Sequence, residues 1–105
     1  MPHRIIITHE AKTQLKELSA REQRIIDDGI AARLVDRPTR PSRAIKELRP
    51  NPLAGYELRL GELRVLYNVN NENAEVVIVL LGRKVGDKLE VRGEEFHGHQ
   101  SDPTE

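Results

Sequence analysis

The sequence predicts an α+β fold: one small β-α-α-β-β-β domain, a mainly antiparallel sheet with a helical hairpin packed on one face. Three observations carry that expectation. The chain has 105 residues, room for a single domain. Apolar residues recur at helical spacing between Ala11 and Leu34 and at strand spacing from Tyr56 onward,. Between them, residues 36–55 carry Pro38, Pro41, Pro50, Pro52 and Gly55, a pattern no long regular element can run through. Neither flank forms a core alone, so one domain is expected over 1–96 and a flexible tail over 97–105,.

Each element follows from local chemistry. Arg4–Thr8 is short and β-branched and reads as a covered strand,. Thr8 then caps a short helix whose Ala11, Leu15 and Leu18 share one face,. Ser19-Ala-Arg-Glu22 has the form of a capping box and opens a second helix striped by Ile26, Ile30 and Leu34,. Gly29 weakens that helix by about 1 kcal/mol relative to Ala, and its small size suits a close approach of the two helices. Pro38 and Pro41 end it. The following linker is expected to wrap the body, with one short helical or extended piece around Ala44–Leu48.

The remainder reads as β. Tyr56, Leu58 and Leu60 alternate with Glu57 and Arg59,. Gly61-Glu62 makes a tight turn. Leu63, Val65, Tyr67 and Val69 then alternate with Arg64, Leu66 and Asn68. Asn70–Asn73 is a second turn of residues tolerant of left-handed backbone. Val76–Leu81 is a continuous apolar run, as expected for a central strand covered on both faces. Leu89–Val91 is expected at an edge. One sheet face is then left partly open, with apolar surface for a partner to cover, and that face carries Arg59 and Arg64.

Composition narrows the function. With only Tyr56, Tyr67 and Phe96 as aromatics, the core rests on Ile, Leu and Val. No cysteine is present, which excludes disulfides, thiolate nucleophiles and Cys-based metal sites and suits a reducing cytoplasm. No segment has the length of a signal peptide h-region or the roughly 20 apolar residues of a membrane span, so a cytoplasmic protein with no membrane partner is expected. The 17 basic and 17 acidic residues cancel. They are unevenly placed: residues 1–50 hold 11 basic and 7 acidic side chains, residues 51–105 hold 6 and 10. That asymmetry directs attention to local basic surface.

The cations Arg59, Arg64, Arg83 and Lys84 come from separate segments that strand pairing brings together. Clustered, they suit a phosphate, which guanidinium groups bind bidentately and whose transition-state charge they stabilise. Dispersed, they are solvated strand charges. A second series, Arg33, Arg37, Arg40, Arg43, Lys46 and Arg49, is interrupted only by the acids Asp36 and Glu47. It suits an RNA backbone or an acidic partner, and equally a solubilising loop. Glu94, Glu95, His97 and His99 form a weak ligand set that lacks further fixed donors. No metal or cofactor motif is present. Tyr56 and Tyr67 fit core-edge packing better than a base-stacking platform.

The element order, the segment GYELRLGELRVLYNVNNENAEVVIVLLGRK and the following VGDKLEVRGEEF resemble the RelE/ParE superfamily of toxins from type II toxin–antitoxin systems, over roughly residues 3–96. The resemblance implies a RelE-like, microbial-RNase-type fold and a cognate antitoxin. For the RelE branch it implies an mRNA interferase: a metal-independent endoribonuclease that cuts mRNA on the ribosome, the 2′-hydroxyl attacking the adjacent phosphate. Arg64, in LRVLY, matches the family's catalytic arginine on that strand. Lys84, in GRK, matches a second, with Arg83 as the alternative, and Arg59 falls at a catalytic lysine. Arg43, Lys46 and Arg49 are candidates for holding substrate. Two positions depart from the pattern: Glu57 stands at another RelE lysine and Glu90 near a tyrosine that helps activate or orient the nucleophile. Either carboxylate is a candidate general base. The same replacements equally suit a non-catalytic, ParE-like inhibitor of DNA gyrase, or a degenerate protein that only binds its antitoxin.

Overall fold

The structure, a computed structural model, describes residues 2–86, 88–91 and 94–96, and beyond Gly86 the side chain of Leu89 alone. Strand β1 (Arg4–Ile7) leads into helix α1 (His9–Lys16) and helix α2 (Ala20–Arg33). Five further strands after the linker, counted with a short one inside it, make six: β2 (Ile45–Glu47), β3 (Tyr56–Leu60), β4 (Leu63–Asn70), β5 (Glu75–Val85), β6 (Lys88–Val91) and β7 (Glu94–Phe96). They form one sheet in the order β2-β3-β4-β5-β6-β7, all antiparallel. Strand β1 adds to β5 in parallel, Ile5 beside Val76 and Ile7 beside Ile78. The α+β architecture with a helical hairpin on a mostly antiparallel sheet is the one expected.

Both helix starts are capped as their sequences dictate. The Thr8 hydroxyl accepts from the Ala11 amide. Ser19 accepts from the Glu22 amide while the Glu22 carboxylate accepts from the Ser19 amide, a complete capping box,. The helices cover one sheet face, burying Ala11, Ile26, Ile30 and Leu34 against Leu58, Val65, Tyr67, Val76, Ile78 and Leu81.

Several local expectations are corrected. Gly29 does not serve the helix–helix contact. A Cβ there would lie 2.5 Å from Leu60 Cδ1 on β3, so the glycine seats α2 on the sheet. Of the two forms expected around Ala44–Leu48, helical or extended, the extended one is found, as β2. Strand β5 runs through Gly82, Arg83 and Lys84 instead of stopping at Leu81. Strand β6 is not an edge, because β7 pairs with it. In the turn at 71–74 the left-handed position falls on Ala74 (φ 53°), after the asparagines.

The second sheet face is not an open apolar surface. Leu66, Leu80 and Leu89 form a smaller core with Ala54, and Leu48, Leu53 and Val79 pack around it. Asn51 and Asn68 hold the covering loop in place: Asn51 Oδ1 accepts from the Leu53 and Ala54 amides at 2.8 and 3.0 Å, and Asn68 Oδ1 from the Gly55 amide at 2.9 Å. Val85 is the one large apolar side chain exposed among the described residues. No helix of the described residues is long and apolar enough to cross a membrane.

Candidate RNA-binding face

Strand register decides which cations meet. In the β3–β4 hairpin, closed by Gly61 at φ 64°, Arg59 lies directly opposite Arg64. On the next ladder Arg64 lies opposite Gly82, which has no side chain. Side chains two apart on a strand share a face, so Lys84 lies on the same face as Arg59 and Arg64. The buried Leu89 opposite Lys84, part of the smaller core, fixes that face as the one away from the helices. Lys46 on β2 pairs with Glu57 on β3 and continues the row toward the sheet edge. The face thus presents Lys46, Arg59, Arg64 and Lys84. Like charges placed directly across a ladder, as Arg59 and Arg64 are, cost stability. An anionic ligand would relieve that cost.

Arg83 is not in this group. As an odd neighbour of Lys84 it points to the helix side, where its guanidinium donates to the Glu22 carboxylate. The Arg83 guanidinium, followed by the Ser19 amide, holds the Glu22 carboxyl below its ordinary value of 4.5. Arg83 ties the start of α2 to β5, and the sequence grouping of Arg83 with Arg59 and Arg64 is corrected on that ground.

Glu57 sits within the basic face but is itself only 3% exposed. Its carboxylate accepts from Arg59 Nε at 3.1 Å, with the arginine side chain 39% exposed above it. This arrangement orients Arg59 and leaves Glu57 shielded from any ligand on the surface. Arg64 donates through Nη1 to the Gly61 and Leu63 carbonyls at 2.6 and 2.9 Å. These are neutral acceptors, and a charged phosphate oxygen makes a bond roughly twice as strong. Arg43 and Arg49 are exposed on the linker flanking β2. Glu90 occupies the ladder position opposite Arg83, and its side chain lies outside the described residues, as do those of Glu94, Glu95, His97 and His99. Among the described residues no group of His, Asp and Glu is arranged to hold a metal ion.

Two contributions escaped the sequence reading. Gln14, on α1, is buried and its Oε1 accepts from the Leu81 amide at 2.7 Å. That amide falls in the gap on β5 between the stretch paired with β1 and the stretch paired with β6. Tyr67, fully buried and stacked on Tyr56 with ring centroids 5.6 Å apart, donates its hydroxyl to the Pro38 carbonyl at 2.6 Å. Burial raises the Tyr67 pKa, with a smaller contribution from Tyr56. Neither role has a signal in spacing, since each depends on where a distant backbone group comes to rest.

No protein-family model matches the chain, and no curated protein sequence matches it. Solved structures do. The toxin–antitoxin complex RelBE2 from Mycobacterium tuberculosis contains a chain 25% identical, with a TM-score of 0.70, over 80% of this chain and 93% of that one. The archaeal RelE–RelB complex from Pyrococcus horikoshii OT3 gives 24% identity and 0.65 over 79% and 96%. A mutant E. coli toxin RelE in the free state gives 19% and 0.62 over 79% and 84%. With its two helices on a mostly antiparallel sheet and most of its length matched, the chain has the fold of the RelE toxins and is RelE-like.

Proposed function

We propose that this chain is the toxin of a toxin–antitoxin pair and that it cuts ribosome-bound mRNA without a metal ion, in the cytoplasm where translation takes place. The observation that carries the reading is the convergence of Arg59, Arg64 and Lys84 on one face of a RelE-like sheet, beside the side-chain-free Gly82. In the reaction the substrate 2′-oxygen attacks the neighbouring phosphorus. The P–O2′ bond forms as the P–O5′ bond breaks, leaving a 2′,3′-cyclic phosphate and a 5′-hydroxyl. Negative charge grows on the non-bridging oxygens, where Arg64 and Lys84 stabilise it. Arg59, steadied by Glu57, holds the adjoining phosphate. The proton of the 2′-hydroxyl leaves to water and the departing oxygen takes one up. Glu57, buried and paired, is a positioning residue rather than the base. The partner is a RelB-like antitoxin, as in two of the neighbouring structures. The gyrase alternative rests only on the replacements at Glu57 and Glu90.

Expression of the chain alone tests this reading. Growth should stop, and primer extension should map new 5′ ends within translated messages. Arg64→Ala should abolish both, with a loss in cleavage rate of at least about 100-fold. Growth arrest with intact translated messages would overturn it.

A further inference from the structure

A second basic site lies beyond the edge of this face. A cleft of about 380 Å³ is lined by Ala32, Arg33 and Asp36 at the end of α2 and by Arg37, Arg40, Ser42 and Ile45 from the linker. Its arginines are exposed, yet the loop that carries them is fixed. Pro38, which lies between Arg37 and Arg40 in the chain, is buried, and its carbonyl accepts from the hydroxyl of core Tyr67 at 2.6 Å. The Ser42 hydroxyl accepts from the Ala44 and Ile45 amides at 3.1 and 3.2 Å, and the Ser42 amide donates back to the Ile45 carbonyl at 2.9 Å. A solubilising loop has no need of a buried tyrosine anchor. Arg33 alone would be explained by the helix C-terminus, where a cation complements the dipole. Arg37 and Arg40, which line the cleft from the linker beyond the helix, have no such explanation.

We propose that this cleft binds the phosphate backbone of the same RNA strand that crosses the sheet face, as a second subsite reached around the β2 edge. The inference rests on the RNA reading above. Its argument is continuity. Ile45 lines the cleft and its neighbour Lys46 stands on the sheet face, so one strand edge separates the two sites. Arg43 lies between Arg40 and Lys46 in the chain and is exposed. Cations thus follow one another from Arg33, Arg37 and Arg40 through Arg43 and Lys46 to Arg59, Arg64 and Lys84. Such a track suits the repeating charge of a nucleic acid backbone better than a peptide with scattered carboxylates. Asp36 is the single acid of the cleft, placed among three guanidinium groups.

The test uses 2′-O-methyl RNA, which lacks the nucleophile and is not cut, at two lengths of about four and about twelve nucleotides. Binding is followed by fluorescence anisotropy across a salt series. Arg37→Gln with Arg40→Gln should leave the short oligomer unchanged, weaken the long one about tenfold, and lower its salt slope by about 1.4, at roughly 0.7 per lost contact. Arg21→Gln with Arg24→Gln removes the same charge from exposed positions early in α2 and should change neither oligomer more than about twofold. The inference is overturned if the first pair leaves long-RNA binding intact, or if both pairs weaken it alike. It is also overturned if the first pair loses affinity for polyglutamate while keeping RNA. Wild-type protein that binds neither oligomer also overturns the inference, while cleavage of a message on programmed ribosomes tests the proposed function by itself, which separates the two failures.

Discussion

Two side chains, Tyr67 and Glu22, show how one residue is fixed by a distant partner, and Glu57 how one is fixed by a near neighbour. Tyr67 was legible as an inward residue of an alternating strand, and its stack on Tyr56 follows from their cross-strand register. Its bond to Pro38 was not legible, because nothing in a local pattern tells which carbonyl of a linker will return to the core. Tyr67→Phe leaves that buried carbonyl without its donor and should cost about 1–2 kcal/mol in urea denaturation, with an unchanged m-value. Glu22 was legible as the far half of a capping box, but its bond to Arg83 depends on strand β5 continuing past Leu81. Because the folded carboxyl lies below its ordinary 4.5, its stabilisation is complete above about pH 5 and is lost as pH falls through the folded value. Wild type should therefore be more stable than Glu22→Gln near neutrality, and urea denaturation across pH should show that advantage shrinking as pH falls through the folded value. Glu57 teaches the opposite lesson. Its type suggests a base, whereas its burial under Arg59 makes it a support.

At the scale of elements, periodicity was a sound guide wherever one face is buried. The capping box, the two helices and the alternating β3 and β4 all follow from it. It failed on β5, whose apolar run ends before the strand does. Backbone pairing with β4 and β6 carries the chain through Gly82, Arg83 and Lys84 regardless of side-chain character. That extension assigns Arg83 and Lys84 to opposite faces, a distinction the dipeptide alone cannot reveal. In sequence Gly29 suits a helix–helix contact, because a glycine in a helix signals close approach without naming the neighbour. Its neighbour is Leu60, with Cδ1, Cδ2 and Cγ at 2.5, 2.7 and 3.1 Å from a Cβ built there. Since both methyl arms are in the way, Gly29→Ala should destabilise by about 1–2 kcal/mol despite the better helix propensity of alanine. Shortening Leu60 to Ala in the same protein should recover part of that loss, read as a non-additive double-mutant cycle.

Across the whole molecule a net charge of zero conceals a sorted surface. Arg33 at the end of α2, the linker cations Arg37, Arg40, Arg43 and Lys46, and Arg59, Arg64 and Lys84 share one edge and one sheet face, and the acid Glu57 within that face is buried beside Arg59. The architecture and the sheet-face pair Arg59 and Arg64 were legible from hairpin chemistry. The smaller core that closes the second face was not, since it depends on a proline-broken loop folding back over Leu66 and Leu80. The central claim is that Arg64 and Lys84 on this face stabilise cleavage of RNA by its own 2′-hydroxyl. The most direct measurement adds purified protein to ribosomes programmed with a defined message, in the presence of a chelator, and identifies the new ends. The account predicts a cut ending in a 2′,3′-cyclic phosphate, abolished by Arg64→Ala and strongly reduced by Lys84→Ala. A message left intact on ribosomes, or a cut that survives Arg64→Ala, would contradict it.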